Sequence, residues 1–344
     1  MDSLLAQLTP ARLTEILRAE GHLNRGQVDQ IEVAQVFETP PSFHARLRLS
    51  YSPDVSGAAP RQIFLKSPKP HKLARGKREA DFYTRLSSLM PDAPLLPCYA
   101  ADWNHATGES FLLLADVSET HFMADLPLSW SQLEVMAQTL AQIHARWWEH
   151  PDLVALVGEA PETHFAVDFA ECERYYGELQ ANLGDQLTPS QRRMFEDFLA
   201  HGPDLILPRI RQGRALTLGH PENHHGNILF PVRESGAALL IDWHQYRCWW
   251  GAQDLVSVID RCLSEEQWEH SHELVTIYHR ALVQHGVTGY EWQQCWDDYR
   301  LSLVGYLILL LQFRTNSAWL LRHLGPMERE FERAGCRELF AAWS

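Results

Sequence analysis

Apolar and polar positions follow two rhythms along this chain, and the change between them falls near residue 118. Before it they alternate. Ala45, Leu47, Leu49 and Tyr51 take turns with Arg46, Arg48 and Ser50, a period of two that predicts a half-buried strand. Val28, Ile31, Val33 and Val36 predict a strand ahead of it, Gln62 to Lys66 a third, and Phe111 to Leu114 a fourth. A helix opens the chain: Thr9 is its N-cap, Pro10 its first residue, Leu13, Ile16 and Leu17 its apolar stripe, and Gly21 its end. Residues 52–60 and the proline-rich stretch 91–99 read as loops. After residue 118 the helical period takes over. Leu133, Met136, Leu140, Ile143 and Trp147 form the buried stripe of a helix over 129–150, with Ser131 as its cap. Similar spacing predicts helices over 165–183, 190–199, 255–263, 268–285 and 292–311.

One interruption breaks this helical run. Leu216 to Leu218, Ile228 to Phe230 and Ala238 to Ile241 are short apolar stretches suited to buried strands, with Gly236 available for the turn between the last two. Polar residues therefore collect at strand ends: His220-Pro221-Glu222-Asn223-His224-His225-Gly226-Asn227, and later Asp242. Glu222, Asn227 and Asp242 all offer oxygen ligands, which suit Mg²⁺, a hard cation commonly shared with substrate phosphates. In kinases an Asn and an Asp hold the metal ions while an acid in the preceding loop orients the attacking hydroxyl.

The run from His220 to Asp254 resembles the catalytic segment of aminoglycoside phosphotransferases, choline kinases and their relatives, whose pattern is H-G-D-x-H-x-G-N followed by I-D-W/F. His220, His224, Gly226, Asn227 and Asp242 match it, and Gly251-Ala-Gln-Asp254-Leu resembles the family's G-x-x-D-L. The resemblance implies a two-lobed, protein-kinase-like α+β fold. An N-terminal antiparallel-sheet lobe would span 1–117, and a mainly helical C-terminal lobe 118–344. It implies an ATP- and Mg²⁺-dependent phosphotransferase acting on a hydroxyl of a small molecule. Asn227 and Asp242 would hold Mg²⁺, Glu222 would orient and deprotonate the acceptor, and His220 and Asp254 would brace the loop. Lys66, at the end of its strand, matches the phosphate-binding lysine, and Glu79, in a helix shortly after, its ion-pair partner. Phe111-Leu-Leu-Leu114-Ala115-Asp116-Val117 looks like the strand and hinge whose backbone takes adenine, through the carbonyl of Ala115 and the amide of Val117. Leu140 to Trp148 resembles a family helix, with His144 in its core, and the W-W-G-A-Q-D-L segment is similar to the bacterial branch related to ecdysteroid kinases. Trp249, Trp250, Asp297 and Asp298 are candidate residues for the acceptor pocket.

Three positions depart from the family. Pro221 replaces a glycine, and Glu222 stands where the family has its catalytic Asp. The extra methylene moves the carboxylate by roughly 1 Å, a displacement that costs on the order of 100-fold in rate when uncompensated. The connection Phe37-Glu-Thr-Pro40-Pro41-Ser42-Phe43-His44 lacks the glycines that let backbone N–H groups reach the ATP phosphates, and its two prolines remove two donors. Ser42 offers a hydroxyl instead. These departures support a rival reading, a pseudokinase or nucleotide-binding scaffold without turnover, and a third, an altered transfer such as nucleotidylation.

Composition narrows the rest. A net charge of −14 on 344 residues argues against a nucleic-acid partner, which needs basic surface. Six scattered cysteines without a C-x-x-C pair read as reduced thiols of a cytoplasmic protein. The start of the chain lacks the basic and apolar segments of a signal peptide, and the longest apolar run, Leu301 to Phe313, is too short to span a bilayer, so no membrane partner is expected. The 18 histidines invite a zinc reading, but no H-E-x-x-H or H-x-x-E-H occurs. Lys69, Lys72, Arg75, Lys77 and Arg78 form a basic run expected to be a solvated loop. The acceptor stays open between an antibiotic, an amino alcohol, a sugar and a sterol-like alcohol, and nothing in the sequence marks an oligomeric interface.

Overall fold

Alternation along the strands decides which face of the first sheet is covered. The computed structural model describes residues 5–6, 8–104, 106–233 and 237–341; the turn expected at Gly236 lies outside them. The chain divides into two units, one of residues 1–122 with 231–245, the other of 123–230 with 246–344.

In the first unit, Thr9 caps helix α1 (Pro10–Ala19) by accepting a hydrogen bond from the Arg12 N–H. Strands β1 (Val28–Glu38), β2 (Ser42–Tyr51), β3 (Gln62–Pro68), β4 (Cys98–Trp103) and β5 (Ser110–Ala115) form an antiparallel sheet in the order β1-β2-β3-β5-β4. Side chains alternate between its faces. Ala45, Leu47 and Leu49 of β2 join Ile63 and Leu65 of β3 in a core with Leu13 and Leu17 of α1. That leaves His44, Arg46, Phe64 and Lys66 for the opposite face. The proline punctuation over 91–99 concealed β4, which begins inside it at Cys98. The basic run is not the expected loop: a turn over Pro70–Lys72 leads into helix α2 (Leu73–Arg85), which carries Arg75, Lys77, Arg78 and Glu79.

Helices dominate the second unit. Helix α3 (Trp130–Trp147) buries its predicted stripe, Leu133, Met136, Leu140, Ile143 and Trp147. Its cap is Ser129 rather than Ser131, because Gln132 completes a reciprocal capping box with Ser129. Helix α4 (Pro161–Leu183) ends at Gly184. Helix α5 (Pro189–Arg211) runs well past residue 199, through Pro203 and Pro208. Each proline removes a hydrogen-bond donor, but Ile206 between them and Ile210 after them are buried and anchor the last turns of the helix. Helices α6 (Ala252–Cys262), α7 (Ser271–Gln284), α8 (Trp292–Gln312) and α9 (Ser317–Arg333) complete the helical body. Strand β6 (Leu216–Gly219) pairs antiparallel with β7 (Arg247–Trp250), so residues 220–246 leave and return at one ribbon end. Among the described residues no helix is long and apolar enough to cross a membrane.

Candidate active site

Lys66 sits on β3 directly across from His44 on β2. Its ammonium contacts both carboxylate oxygens of Glu79, at 2.7 and 2.8 Å, and Oδ1 of Asp242 at 2.8 Å. Glu79 reaches it because α2 passes close to the sheet. A Cβ added at Gly76 would lie 2.3 Å from Pro68 Cγ, so this approach requires glycine. Asp242 is carried by a short segment fixed at several points. Leu240 donates its N–H to the Pro94 carbonyl, Trp243 Nε1 donates to the Leu240 carbonyl, and the Trp243 ring stacks on Phe82 of α2 at 4.3 Å.

Asp242 also takes a left-handed backbone conformation, φ +66°. Outside glycine this conformation costs on the order of 1 kcal/mol, and such outliers gather at functional sites. Its Oδ2 accepts a 2.6 Å bond from Arg75 Nη2, and His244 Nδ1 lies 3.3 Å from Oδ1. Burial by itself would raise the Asp242 carboxyl. The hydrogen bond from His244 and the charges of Lys66, His244 and Arg75 hold it far below the usual carboxylate range. Burial lowers Lys66, but Glu79 and Asp242 outweigh it and keep the ammonium charged. Burial, then the charge of Lys66, brings His44 down to about 4. The phosphate-loop candidate is a tight connection, Thr39-Pro40-Pro41, whose Thr39 N–H already donates to the Ser42 carbonyl. Ser42 itself is buried. Ala115 ends β5 and spends its N–H on the Pro97 carbonyl, while the Val117 carbonyl accepts from the N–H groups of Thr120 and His121. None of these three bonds uses the Ala115 carbonyl or the Val117 amide.

In the second unit, Asp254 organises the loop that leaves β6. It is fully buried in the first turn of α6. Oδ2 accepts from the His220 N–H at 2.5 Å and from His144 Nε2 at 3.1 Å; Oδ1 accepts from Trp249 Nε1 at 3.0 Å. Donation from Nε2 leaves His144 Nδ1 to accept from the Tyr278 hydroxyl at 2.8 Å. Trp249 reaches Asp254 because position 219 is glycine; a Cβ there would lie 1.8 Å from Trp249 Nε1. Further along, Asn227 donates through Nδ2 to the Glu222 carbonyl at 3.0 Å, and the same Nδ2 lies 3.2 Å from His224 Nε2, whose Nδ1 accepts from the Gly226 N–H. With its nitrogen committed inside the loop, Oδ1 is the end left to act as a ligand. Burial, then the charge of Arg261, brings His224 to about 4. Taken one unit at a time, each donor has the chemistry Mg²⁺ takes: an ionised carboxylate oxygen at Asp242 in the first unit, and an amide oxygen at Asn227 in the second.

Glu222, His224 and Arg261 line a cavity of about 690 Å³ within the second unit. The expected acceptor residues lie elsewhere. Trp250 is fully buried and hydrogen-bonded to Ser302, Asp298 is clamped by Arg209 with two bonds of 2.8 Å, and Trp249 serves Asp254. Two residues escaped the sequence reading. Arg75 was grouped with surface charges. Asn223, buried beside Glu222, makes no side-chain hydrogen bond among the described residues. An amide at zero exposure without a partner is uncommon, yet the sequence carries no signal for it.

Comparisons with known proteins fit this geometry. The fold is that of the kinase-like phosphotransferases, a two-lobed α+β architecture. A Ralstonia eutropha protein described as an aminoglycoside phosphotransferase superposes with a TM-score of 0.57 at 13% identity, over 95% of this chain and 98% of that one. A Plasmodium vivax ethanolamine kinase gives 0.53 at 12% identity, over 87% and 80%. An aminoglycoside 2′-phosphotransferase in complex with GDP gives 0.51 at 13% identity, over 94% and 99%. Within that class, residues 157–287 match the ecdysteroid kinase-like family. The resemblance read from His220 to Asp254 is borne out by these matches. No curated protein matches the chain in sequence.

Proposed function

We propose that this protein transfers the γ-phosphoryl group of ATP, with Mg²⁺, to a hydroxyl of a small molecule. The observation that carries the reading is the Lys66–Glu79–Asp242 cluster: a buried ammonium between two carboxylates, one of them on a left-handed residue. Lys66, oriented by Glu79, would hold the α- and β-phosphates. Ser42 would add a hydroxyl to the phosphates, and Ala115 and Val117 would meet adenine through backbone groups. Asp242 and Asn227 would ligate Mg²⁺, which when bound neutralises charge on the phosphates. Glu222 would orient the acceptor hydroxyl and take its proton, while His220 and Asp254 keep the loop in place. Catalysis would come from positioning and preorganised charge. The GDP bound by the aminoglycoside 2′-phosphotransferase and the substrate of the ethanolamine kinase agree with such a role. Six unpaired cysteines suit a reducing compartment such as the cytoplasm.

Calorimetric titration with ATP, with and without Mg²⁺, tests the proposal. Magnesium-dependent binding that disappears in Asp242→Ala, with the variant still folded by its thermal transition, is the expected result. No ATP binding under either condition would overturn it and favour the scaffold reading, for which the donor-poor Pro40-Pro41 turn is the specific observation.

A further inference from the structure

The cavity beside Glu222 has its own chemistry, apart from the machinery that handles the nucleotide. Its volume, about 690 Å³, is that of a site for a small organic molecule. One wall is a single face of α9: Trp319, Arg322, His323 and Pro326 recur at helical spacing and all line it. Phe313, Trp319 and His323 stack in series, with ring centroids 4.4 and 4.0 Å apart, giving that wall an aromatic column. Glu222 and His224 stand on the loop side.

The charges of the lining divide unevenly. Asp260 is spoken for: it accepts from the Tyr306 hydroxyl at 2.8 Å and from His323 Nδ1 at 3.0 Å. Glu265 is bridged to Arg329 at 2.8 Å. Burial would lower Arg261, but the Tyr306 hydroxyl and the nearby charges of Glu222 and Asp260 keep its guanidinium charged. Among the described residues no carboxylate forms an ion pair with Arg261, and no hydrogen bond or ion pair engages Arg322. Arg261 is thus partly balanced by Tyr306, Glu222 and Asp260, and Arg322 faces the cavity without a bridging anion, beside an aromatic wall. A cationic acceptor would meet both guanidiniums. A neutral one would leave Arg322 unmatched. An anionic group matches the fork geometry of arginine.

We infer that the acceptor is an alcohol with a flat or aromatic body and a carboxylate or similar anionic group, the anion held by Arg322 and Arg261 and the ring set against the side of the Phe313–Trp319–His323 column. Calling it the acceptor rests on the phosphotransferase reading; the cavity and its charge do not.

Three probes that differ only in charge test this: para-(hydroxymethyl)benzoate, the corresponding benzamide and the corresponding benzylamine. Binding is read by calorimetry and by quenching of tryptophan fluorescence on the full chain. The carboxylate is expected to bind at least about tenfold tighter than the amide, with the amine weakest, as a charge-assisted pair requires. Arg322→Gln should shrink the preference to about threefold or less, and Arg322→Lys should restore part of it. Because Arg322 is exposed, these variants keep the fold even where Arg261→Gln does not. An amine that binds as well as the carboxylate, no carboxylate binding at about 10 mM, or a preference untouched by Arg322→Gln overturns the inference. ATP titration of the same samples separates the two ideas. Carboxylate preference without ATP binding sinks the phosphotransferase reading and keeps the cavity's specificity; ATP binding without the preference does the reverse.

Discussion

Replacing Arg75 by Met separates the resting state of the Asp242 carboxylate from its proposed work. Arg75 Nη2 lies 2.6 Å from Oδ2, with the two side chains 25% and 18% exposed. A charge-assisted hydrogen bond of this kind contributes about 1.5–3 kcal/mol. In the variant Asp242 keeps Lys66 at 2.8 Å and His244 at 3.3 Å. The carboxylate is not orphaned, so the stability loss belongs near the lower bound, about 1.5 kcal/mol. For a unit of this size that corresponds to about 5 °C in Tm.

A metal ion that takes Asp242 as a ligand competes with Arg75 for the same oxygens. Deleting the competitor returns about 1.5–3 kcal/mol to the metal, roughly 10- to 150-fold in apparent affinity. The assay is ATP binding by calorimetry across a Mg²⁺ series, paired with a thermal scan in chelator. The expected result is a lower Tm together with a Mg²⁺ midpoint shifted to lower concentration by at least about tenfold. A midpoint that stays put or rises while Tm falls would refute the reasoning, because Arg75 would then stabilise the fold without guarding a metal ligand.

Glu222→Asp shortens the proposed base by about 1 Å and should lower acceptor-dependent ADP release by about 100-fold; a rise in turnover would show that Glu222 is a defect in a site built for Asp. Asp254→Asn should cost about 3–5 kcal/mol, since three inward donors, the His220 N–H, His144 Nε2 and Trp249 Nε1, would lose a buried charge; a Tm within a degree of the parent would contradict that. His44 sits at about 4 against its ordinary 6.5, so the unfolded chain binds a proton that the folded one refuses. Its contribution to stability is full above about pH 6.5 and is lost as pH falls towards about 4, and His44→Gln should flatten that slope by up to about 1.4 kcal/mol per pH unit; chemical denaturation across the window tests it, and an unchanged slope assigns the titration to another group.

Local signals and long-range partners explain what the sequence disclosed. The alternation over 45–51 and the stripe over 133–147 are properties of neighbouring residues, and both elements formed where the pattern put them. Proline and glycine punctuation misled in two places. The stretch 91–99 ran into β4, and α5 continued through Pro203, because burial of a few apolar side chains outweighs a missing donor. Charge was harder to read. Lys66 and Glu79 were legible because a strand-then-helix order stands behind them. Arg75 lies in the same basic run as Lys72 and Lys77, and its partner Asp242 is 167 residues away. No local rule distinguishes the arginine that finds a buried carboxylate from those that stay in water.

The same logic inverts the expectation for the phosphate loop. Pro40 and Pro41 cannot donate backbone hydrogen bonds, and the Thr39 N–H is already used within the turn. Positive charge in this unit is concentrated instead on side chains, with Lys66 and Arg75 both on Asp242 and Lys69 pairing with Glu38 at 3.1 Å. Side-chain cations differ from backbone amides in one physical respect: they pair with a carboxylate when no phosphate competes for them. A site assembled this way rests with Asp242 occupied by its own lysine and arginine. In the proposed function its nucleotide binding should therefore need more magnesium than a glycine-loop site does, because the ion would compete with a guanidinium for Asp242.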